Sequence, residues 1–416
     1  MTAGPIDLAP LEPIVPPAAE PARRERVQPG EWARRNLFSS PLNASLTVVM
    51  AAALGWALAG TASFLFATGE WEIVRVNLTS FMVGLDFPRD EFWRVWIALV
   101  LVSAVSGVSA GVSERRRGKA TALTERGHRL WPFLLLVAVL LSFTTTLLPA
   151  ALAVASLAAA CGGLAVGRRL PERARRLAPL FWAFGVIGVF VALVGFQGVG
   201  WQRWGGLLLT LFLALGGIVL CFPLGVLLAL GRRSSLPVVR TVCVGYIELI
   251  RGVPLITVLF MASLMLGFFF PPGAIDPALV TRALVAFALF SAAYVAEIVR
   301  GGLQGVGKGQ VEAAQALGLS PVRTTLLIVL PQGLRNVIPA LVGQFISLFK
   351  DTSLVAVLGS FDLLRIAQEV VTQPAFLGRG LQTETLLFAA FVYWVCCFTM
   401  SKSSQRLERR LGVGQR

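Results

Sequence analysis

Unbroken apolar stretches recur along this 416-residue chain. A membrane-spanning helix needs roughly 20 mostly apolar residues, whereas the strands of a membrane barrel alternate apolar and polar side chains over about ten positions. The stretches lack that alternation, so they predict helices. The predicted helices cover approximately residues 44–68, 94–112, 131–147, 150–167, 178–197, 205–230, 246–270, 281–299, 335–358 and 385–401.

This pattern predicts an all-α fold, a polytopic membrane helical bundle with about 10 transmembrane helices. The helices 131–147 and 150–167 are joined only around Pro149, so they form either a tight hairpin or one broken element. If this pair does not cross the membrane twice, about eight helices remain, which gives a range of about 8–10.

The composition agrees with a membrane environment. Hydrophobic residues make up 56% of the chain and charged residues only 14%, whereas a soluble protein carries roughly 45–50% and 25%. A soluble protein of this length needs more polar surface than these residues provide. The surplus of apolar side chains therefore faces lipid.

The formal net charge is +15, and a basic protein can be a nucleic-acid binder. Here the basic residues lie in clusters between apolar stretches, as in membrane proteins whose cytoplasmic loops are rich in Lys and Arg. With ten helices, every dense cluster falls on one side, which predicts cytoplasmic termini and no nucleic-acid partner. The clusters lie at 23–35, 115–129, 168–176, 232–240 and 402–416.

Residues 1–40 form a tail rich in Pro and Arg, which predicts a largely disordered cytoplasmic segment. The tail lacks the early apolar run of a signal peptide, so the first hydrophobic helix is expected to be retained as an anchor. No catalytic site and no metal site are expected, because the five Cys lie in apolar segments and the sole His, His128, lies in a basic loop.

The segment 296–339, between the eighth and ninth predicted helices, is too polar to cross the bilayer but has a clear pattern. Gln310–Leu317 is predicted to be helical, because it contains strong helix formers such as Glu and Ala. Gly318 follows where a helix ends in a left-handed turn. A helix followed by a glycine turn is therefore predicted on the cytoplasmic face.

A second short helix is predicted directly after this turn. Ser320 is suited to the N-cap and Pro321 to the first helical position. The helix is expected to run through Thr324–Val329 and to stop near Pro331. By these physical arguments alone, the whole element is either an amphipathic loop on the membrane surface or a docking site for a cytoplasmic partner.

The residues Glu312-Ala313-Ala314, followed after three residues by Gly318, resemble the EAA loop of ABC importer permeases. In that family the short helix fits a cleft on the ATPase subunit. The resemblance implies that coupling to an ATPase is carried by Glu312, Ala313, Ala314, Gly318, Leu319 and Pro321.

Three further segments narrow this resemblance. Residues 247–255 (IELIRGVPL), 294–302 (YVAEIVRGG) and 349–354 (FKDTSL) resemble motifs of the polar amino-acid permeases of the histidine, glutamate and glutamine type. The resemblance extends to the long permease subunit of general L-amino-acid transporters and covers about residues 201–416. It implies a type I ABC importer transmembrane domain of five helices in 201–416, with a coupling loop at about 300–335 and accessory N-terminal helices in 41–200.

The resemblance also implies partners and a place in the cell. This chain would form the translocation pathway of an ATP-driven amino-acid importer in a bacterial inner membrane, without enzymatic activity and without a cofactor of its own. ATP and Mg²⁺ would bind to a cytoplasmic ABC ATPase dimer. A second permease subunit, for which a different chain is favoured, and a periplasmic substrate-binding protein would complete the assembly.

Ionisable residues inside predicted helices are candidates for the pathway or for gating, because charges in a bilayer are costly and face the bundle interior or water. Glu248 and Arg251 are three residues apart, as are Glu297 and Arg300, so each pair can meet on one helix face. These pairs are either structural ion pairs or pairs that change partners during gating.

Lys350 and Asp351 lie deeper in the ninth helix, next to Thr352 and Ser353. Adjacent helical residues point about 100° apart, so Lys350 and Asp351 cannot both face the same wall. One of them could bind a neighbouring helix while the other lines the pathway. All four residues are candidates for the pathway or for gating, and Lys350 or Asp351 is a candidate for direct contact with a zwitterionic substrate.

An ATPase and a secondary transporter are two rival functions. The run Gly302 to Lys308 mimics a phosphate-binding P-loop, but Gly309 replaces the Ser or Thr that binds magnesium and no strand precedes the run. ATP hydrolysis by this chain is therefore not expected. A secondary transporter of small polar solutes is the alternative, although residues 41–200 and 201–416 show no convincing internal repeat.

Overall fold

The computed structural model describes residues 29–117, 135–144, 147–171, 177–269 and 277–412. Within these ranges the protein is helical, and its only sheet-like contact is an isolated bridge between Gly206 and Asp362. The helices are α1 (Pro29–Asn36), α2 (Pro41–Ser63), α3 (Glu72–Val83), α4 (Phe92–Arg117), α5 (Leu147–Arg169), α6 (Ala178–Val194), α7 (Gly206–Arg232), α8 (Pro237–Gly252), α9 (Leu255–Met265), α10 (Leu279–Gln304), α11 (Lys308–Ala316), α12 (Pro321–Thr324), α13 (Leu330–Asp351), α14 (Leu363–Glu369) and α15 (Gln382–Leu411).

Seven helical spans in the described residues are long and apolar enough to cross a membrane, or eight if the bent pair α8 and α9 is one span. The all-α class is therefore confirmed, whereas the number of about ten and the side of each terminus stay predictions. The seven spans are Pro41–Thr68, Arg89–Arg115, Leu147–Arg169, Gly206–Arg232, Leu279–Gln304, Pro321–Leu358 and Gln382–Arg409.

Two predicted helices are shorter than predicted or lie partly outside the described residues. The helix α6 corresponds to the predicted 178–197 but has only 17 residues. Most of the predicted 131–147 lies outside the described residues, although 135–142 is helical. His128 and residues 1–28 also lie outside the described part, while the end of the predicted tail contains α1.

The prediction of one continuous helix over 246–270 is wrong. The chain bends by 106° between α8 and α9, at Val253 and Pro254. A residue before proline is driven to extended backbone, and Val253 has φ −108° and ψ 137°. Pro254 is then the N-cap of α9, so the motif RGVP produces a sharp corner rather than a helix interior.

The prediction that a loop helix stops near Pro331 is also wrong. After α12, a π turn over Thr325–Val329 leads directly into α13, so the span Pro321–Leu358 begins inside the predicted loop. Pro331 lies in the first turn of α13, where a missing N–H is tolerated. The wider π turn is a known way of accommodating such an irregularity in a helix.

The described residues fall into two compact units that meet in sequence between Gly69 and Glu70. The first unit contains α1 and α2. In the second unit α10 is central and packs against α7, α8, α9 and α13. Its buried face includes Phe287, Val295 and Val299, none of which is exposed to solvent, and burial of such apolar area is the main stabilising term in packing against neighbours.

The helix α3 was not predicted from the sequence. It is only 12 residues long and carries polar side chains, so it lacks the signature of a membrane span. Ile73, Val74 and Phe81 are nevertheless fully buried, where α3 contacts α7, α14 and α15. This helix therefore belongs to the core of the second unit.

Candidate functional site

The predicted coupling helix is present as α11, and its C-terminus forms a complete Schellman motif. The N–H of Gly318 donates to the carbonyl of Gln315 at 2.9 Å, and the N–H of Leu319 donates to the carbonyl of Ala314 at 3.1 Å. These two bonds satisfy carbonyls that a helix end otherwise leaves unpaired. Gly318 has φ +77°, a conformation that glycine adopts without the clash of a Cβ atom.

The second part of the element begins as predicted. The Ser320 side chain accepts a hydrogen bond from the N–H of Arg323 at 3.4 Å, and Pro321 occupies the first turn of α12. We call the unit formed by α11, the Gly318 turn and α12 the coupling element (308–324). It is a helix, a left-handed turn and a second helical start, each specified by local residues.

One side of the coupling element is exposed and the other is anchored. Glu312, Ala313, Gly318 and Pro321 are exposed and Leu319 is half-buried. Two apolar side chains at the tip, Leu317 and Val322, are 83% and 67% exposed. The exposed side of the element therefore carries both charged and apolar side chains.

The anchored side consists of Ala314, which is the sixth predicted coupling residue, and one polar contact. Ala314 is only 4% exposed, and α11 packs against α12 and the π turn. The Gln332 side chain donates to Gln310 Oε1 at 3.3 Å. Ala314 is therefore packed inside the element and the Gln310–Gln332 bond ties the element to α13, while the other predicted coupling residues lie at or near the surface.

The apparent P-loop is a packing motif. Gly302 lies in α10, and a Cβ atom there would approach the carbonyl oxygen of Gly333 to 2.4 Å. Gly302 and Gly333 therefore allow α10 and α13 to come close, and no strand precedes the run in the described part of the chain. The geometry of a phosphate-binding loop between strand and helix is absent there.

Four of the predicted gating residues meet in one ionic cluster, with Glu297 at its centre. Arg232 Nη1 lies 2.5 Å from Glu297 Oε1, Arg300 Nη2 lies 2.9 Å from Glu297 Oε2, and Arg251 Nη1 lies 3.8 Å from the same oxygen. Arg232 Nη1 also lies 3.2 Å from Glu248 Oε1. We call these five residues the helix-end cluster.

The predicted pair Glu297–Arg300 is present, whereas the helical pair Glu248–Arg251 is not among the ion pairs of the described residues. Glu248 instead contacts Arg232, and Arg251 turns towards Glu297 and stacks 5.7 Å from the Tyr294 ring centre. Ion pairs between helices depend on tertiary packing. A spacing of three residues along the sequence predicts only pairs within one helix.

Arg232 is the functional candidate that sequence reasoning missed. It is the last residue of α7, and by sequence it is one more basic residue next to a helix end. Its position between two carboxylates from α8 and α10 ties three helices together. The cluster lies near the coupling element, because α10 ends at Gln304, whose side chain accepts from Arg300 at 2.9 Å.

The FKDTSL segment lies where α13 changes its form. The α-helix ends at Asp351, and a 3₁₀ helix runs from Thr352 to Leu358. Lys350 is exposed, Asp351 and Ser353 are half-buried, and Thr352 is completely buried. As expected for adjacent positions, Lys350 and Asp351 face different surroundings, and neither makes an ion pair among the described residues.

A buried polar group beside Thr352 was not foreseen. The carboxylate of Asp362 has no exposure, accepts two backbone N–H groups of α14, and accepts the Tyr393 hydroxyl at 3.2 Å. The Tyr393 hydroxyl is also within reach of Thr210 and Thr352. Burial raises the pKa of Asp362 to about 6, although its hydrogen bonds to α14 and Tyr393 oppose that rise.

Comparison with known proteins gives these features a context. Residues 221–413 match the family described as binding-protein-dependent transport system inner membrane component. The chain is 38% identical over 405 residues to the inner membrane amino-acid ABC transporter permease protein YhdY of Escherichia coli (strain K12), a match that covers 92% of this chain and 93% of that protein. The chain belongs to the ABC transporter permease family.

Other relatives agree with this assignment. The permease is 36% identical over 433 residues to the glutamate/glutamine/aspartate/asparagine transport system permease protein BztC of Rhodobacter capsulatus, covering 95% of this chain and 96% of that protein. A crystal structure of an amino acid ABC transporter with histidines is 35% identical, covers 49% of this chain and 92% of that one, and has a TM-score of 0.44. The names of the relatives YhdY and BztC do not support the secondary-transporter alternative.

Proposed function

We propose that this permease forms the translocation pathway of an ATP-driven importer of amino acids. The observation that carries the proposal is the coupling element, whose Glu312, Gly318 and Pro321 are displayed on an anchored helix and turn. The relatives YhdY and BztC, which match over nearly their whole length, are amino-acid transport permeases. Both lines of support point to the same subunit of the same kind of transporter.

The proposed partners follow from this role. A dimer of cytoplasmic ABC ATPase subunits binds ATP and Mg²⁺, and the permease itself binds neither. A periplasmic binding protein delivers the amino acid, and a second permease, for which a different chain is favoured, forms the other half of the pathway. The assembly lies in the bacterial inner membrane with both ends of this chain in the cytoplasm, and the accessory helices of 41–200 precede the core of 201–416.

In this proposal the helix-end cluster transmits motion from the coupling element to the membrane helices. Arg232, Glu248 and Glu297 come from α7, α8 and α10, so a shift of α10 stretches contacts to both neighbours. Glu297 is only 16% exposed and faces three arginines. Removal of one partner from a partly desolvated group costs more than loss of a surface ion pair.

The proposed pathway includes Lys350, Asp351, Thr352 and Ser353. Lys350 is exposed and makes no ion pair among the described residues, so its ammonium group is free to meet the carboxylate of an amino acid. Thr352 is held by a hydrogen bond to the carbonyl of Phe349 at 2.7 Å. We assign Lys350 to substrate contact and Thr352 to fixing the helix transition beside it.

The test is co-purification with candidate ATPase subunits in detergent. The natural chain should retain an ATPase subunit, and Glu312→Arg should release it, because the reversed charge lies on the exposed side of the element. The matched control is Glu31→Arg, an exposed acidic residue of α1 outside the proposed contact. If the natural chain binds no ATPase, or if Glu312→Arg binds as well as the control, the proposal is wrong.

A further inference from the structure

A small cavity of about 180 Å³ lies at the opposite end of α10 from the coupling element. Its lining includes Val280 in the first turn of α10, whereas the coupling element follows Gln304 at the other end. A helix of 26 residues spans about 39 Å at 1.5 Å per residue. The cavity is therefore on the far face from the proposed ATPase.

The floor and the rim of this cavity differ in chemistry. Trp204, Leu209 and Val280 are at most 5% exposed and form an apolar floor. Asp86 and Arg203 are exposed residues of the lining. Such a small site with a few polar groups around apolar walls suits a small metabolite, since drug-sized ligands fill roughly 300–1,000 Å³.

The two charges at the rim are close to each other but are not paired. Arg203 Nε donates to the backbone carbonyl of Asp86 at 3.2 Å. The Asp86 carboxylate and the Arg203 guanidinium form no ion pair in the described residues. The remaining guanidinium N–H groups and the carboxylate are left for other partners. Opposite charges held apart in this way complement a molecule that carries both an ammonium and a carboxylate.

We infer that this cavity is an entry site for the zwitterionic head of an amino acid, with Arg203 binding the carboxylate and Asp86 the ammonium. The inference rests on the proposed function, in which this face of the permease is the outer one. It assigns a ligand role to the loops around 86 and 203, which lie outside the matched family region of 221–413. The apolar floor would accept the first carbon atoms of the side chain.

The experiment is cysteine protection on the full chain in lipid nanodiscs. Gln202 is exposed and lines the cavity, so Gln202→Cys is labelled with a membrane-impermeant thiol reagent in the presence of L-glutamine or L-glutamate. Asp90→Cys, an exposed neighbour outside the lining, is the matched control, and the natural chain gives the background of its own cysteines.

We expect one of the two amino acids to slow labelling of Gln202→Cys several-fold and to leave Asp90→Cys unchanged. Adding Asp86→Asn or Arg203→Gln should weaken that protection by at least about tenfold in ligand concentration, because each removes a charge-assisted contact. 4-Aminobutanamide, which lacks the carboxylate of L-glutamine, should not protect.

The site is refuted if neither amino acid protects at millimolar concentration, or if protection survives both rim substitutions. If the natural complex still takes up amino acids with ATP, either of these results leaves the proposed function intact. Failure of uptake by the natural complex would instead remove the proposed function and leave the labelling result as a binding property.

Discussion

Replacement of Gly318 by alanine changes the backbone freedom of the coupling turn and little else. No heavy atom lies within 4 Å of the position that the new Cβ would occupy, so the substitution introduces no clash with neighbouring elements. The native φ of +77° is retained only at a conformational cost, about 1–2 kcal/mol for an L-residue in the left-handed region. That cost corresponds to a factor of about 5–30 in the population of the native turn.

If the ATPase binds the turn in its native form, this factor appears as weaker binding. The assay is the equilibrium affinity of the permease in nanodiscs for its purified ATPase subunit. We expect Gly318→Ala to bind the ATPase about 5–30 times more weakly than the natural chain does. The affinity of Gly318→Asn should lie between those of the natural chain and Gly318→Ala, because asparagine tolerates left-handed backbone better than alanine.

The control for this series is Gly309→Ala in α11. Gly309 also has open space around its Cβ position but has no positive φ, and alanine is the better helix former. Its binding should equal or exceed that of the natural chain. Natural affinity in Gly318→Ala, or an equal loss in Gly309→Ala, would show that the left-handed turn at Gly318 does not determine ATPase binding.

Three further predictions concern other parts of the permease. Glu297→Gln leaves three arginines without their shared carboxylate. We expect the ATPase subunit still to bind, but the binding protein to stimulate ATP hydrolysis by the complex less than in the natural chain. Unchanged stimulation would contradict a role of the helix-end cluster in transmission. Burial raises the pKa of Asp362 from 3.8 to about 6, so protonation of this carboxylate stabilises the folded state. The midpoint temperature of thermal unfolding should therefore be higher at pH 5 than at pH 7 in the natural chain, and the same at both pH values in Asp362→Asn. Gly163→Ala should lower the thermal midpoint, because its Cβ would lie 2.2 Å from a carbonyl oxygen of α4, whereas the open neighbour Gly162→Ala should not.

The coupling element could be predicted closely from the sequence because its determinants are local. Gly318, Ser320 and Pro321 each specify backbone geometry within four residues of themselves. Long apolar stretches likewise predicted most spans, because lipid requires helices whose backbone groups are satisfied internally. These signals need no knowledge of what packs against them.

The remaining features depend on contacts between distant residues. The chain bends by 106° at Pro254. A proline in the sequence does not decide between a kink within one helix and a corner between two helices. The ion pair between Arg232 and Glu297 joins residues 65 positions apart, and the bond between Tyr393 and Asp362 lies in the core. Only the packing of the helices brings these side chains together.

ATP-dependent uptake is the direct test of whether this permease is a subunit of an amino-acid importer. The permease would be reconstituted in liposomes with its ATPase, its partner permease and its binding protein, and uptake of radiolabelled L-glutamate and L-glutamine would be measured with ATP on the side of the coupling element. If the permease imports amino acids with ATP, accumulation requires ATP hydrolysis and is lost in Glu312→Arg. Uptake that proceeds without ATP and follows only an ion gradient would contradict it.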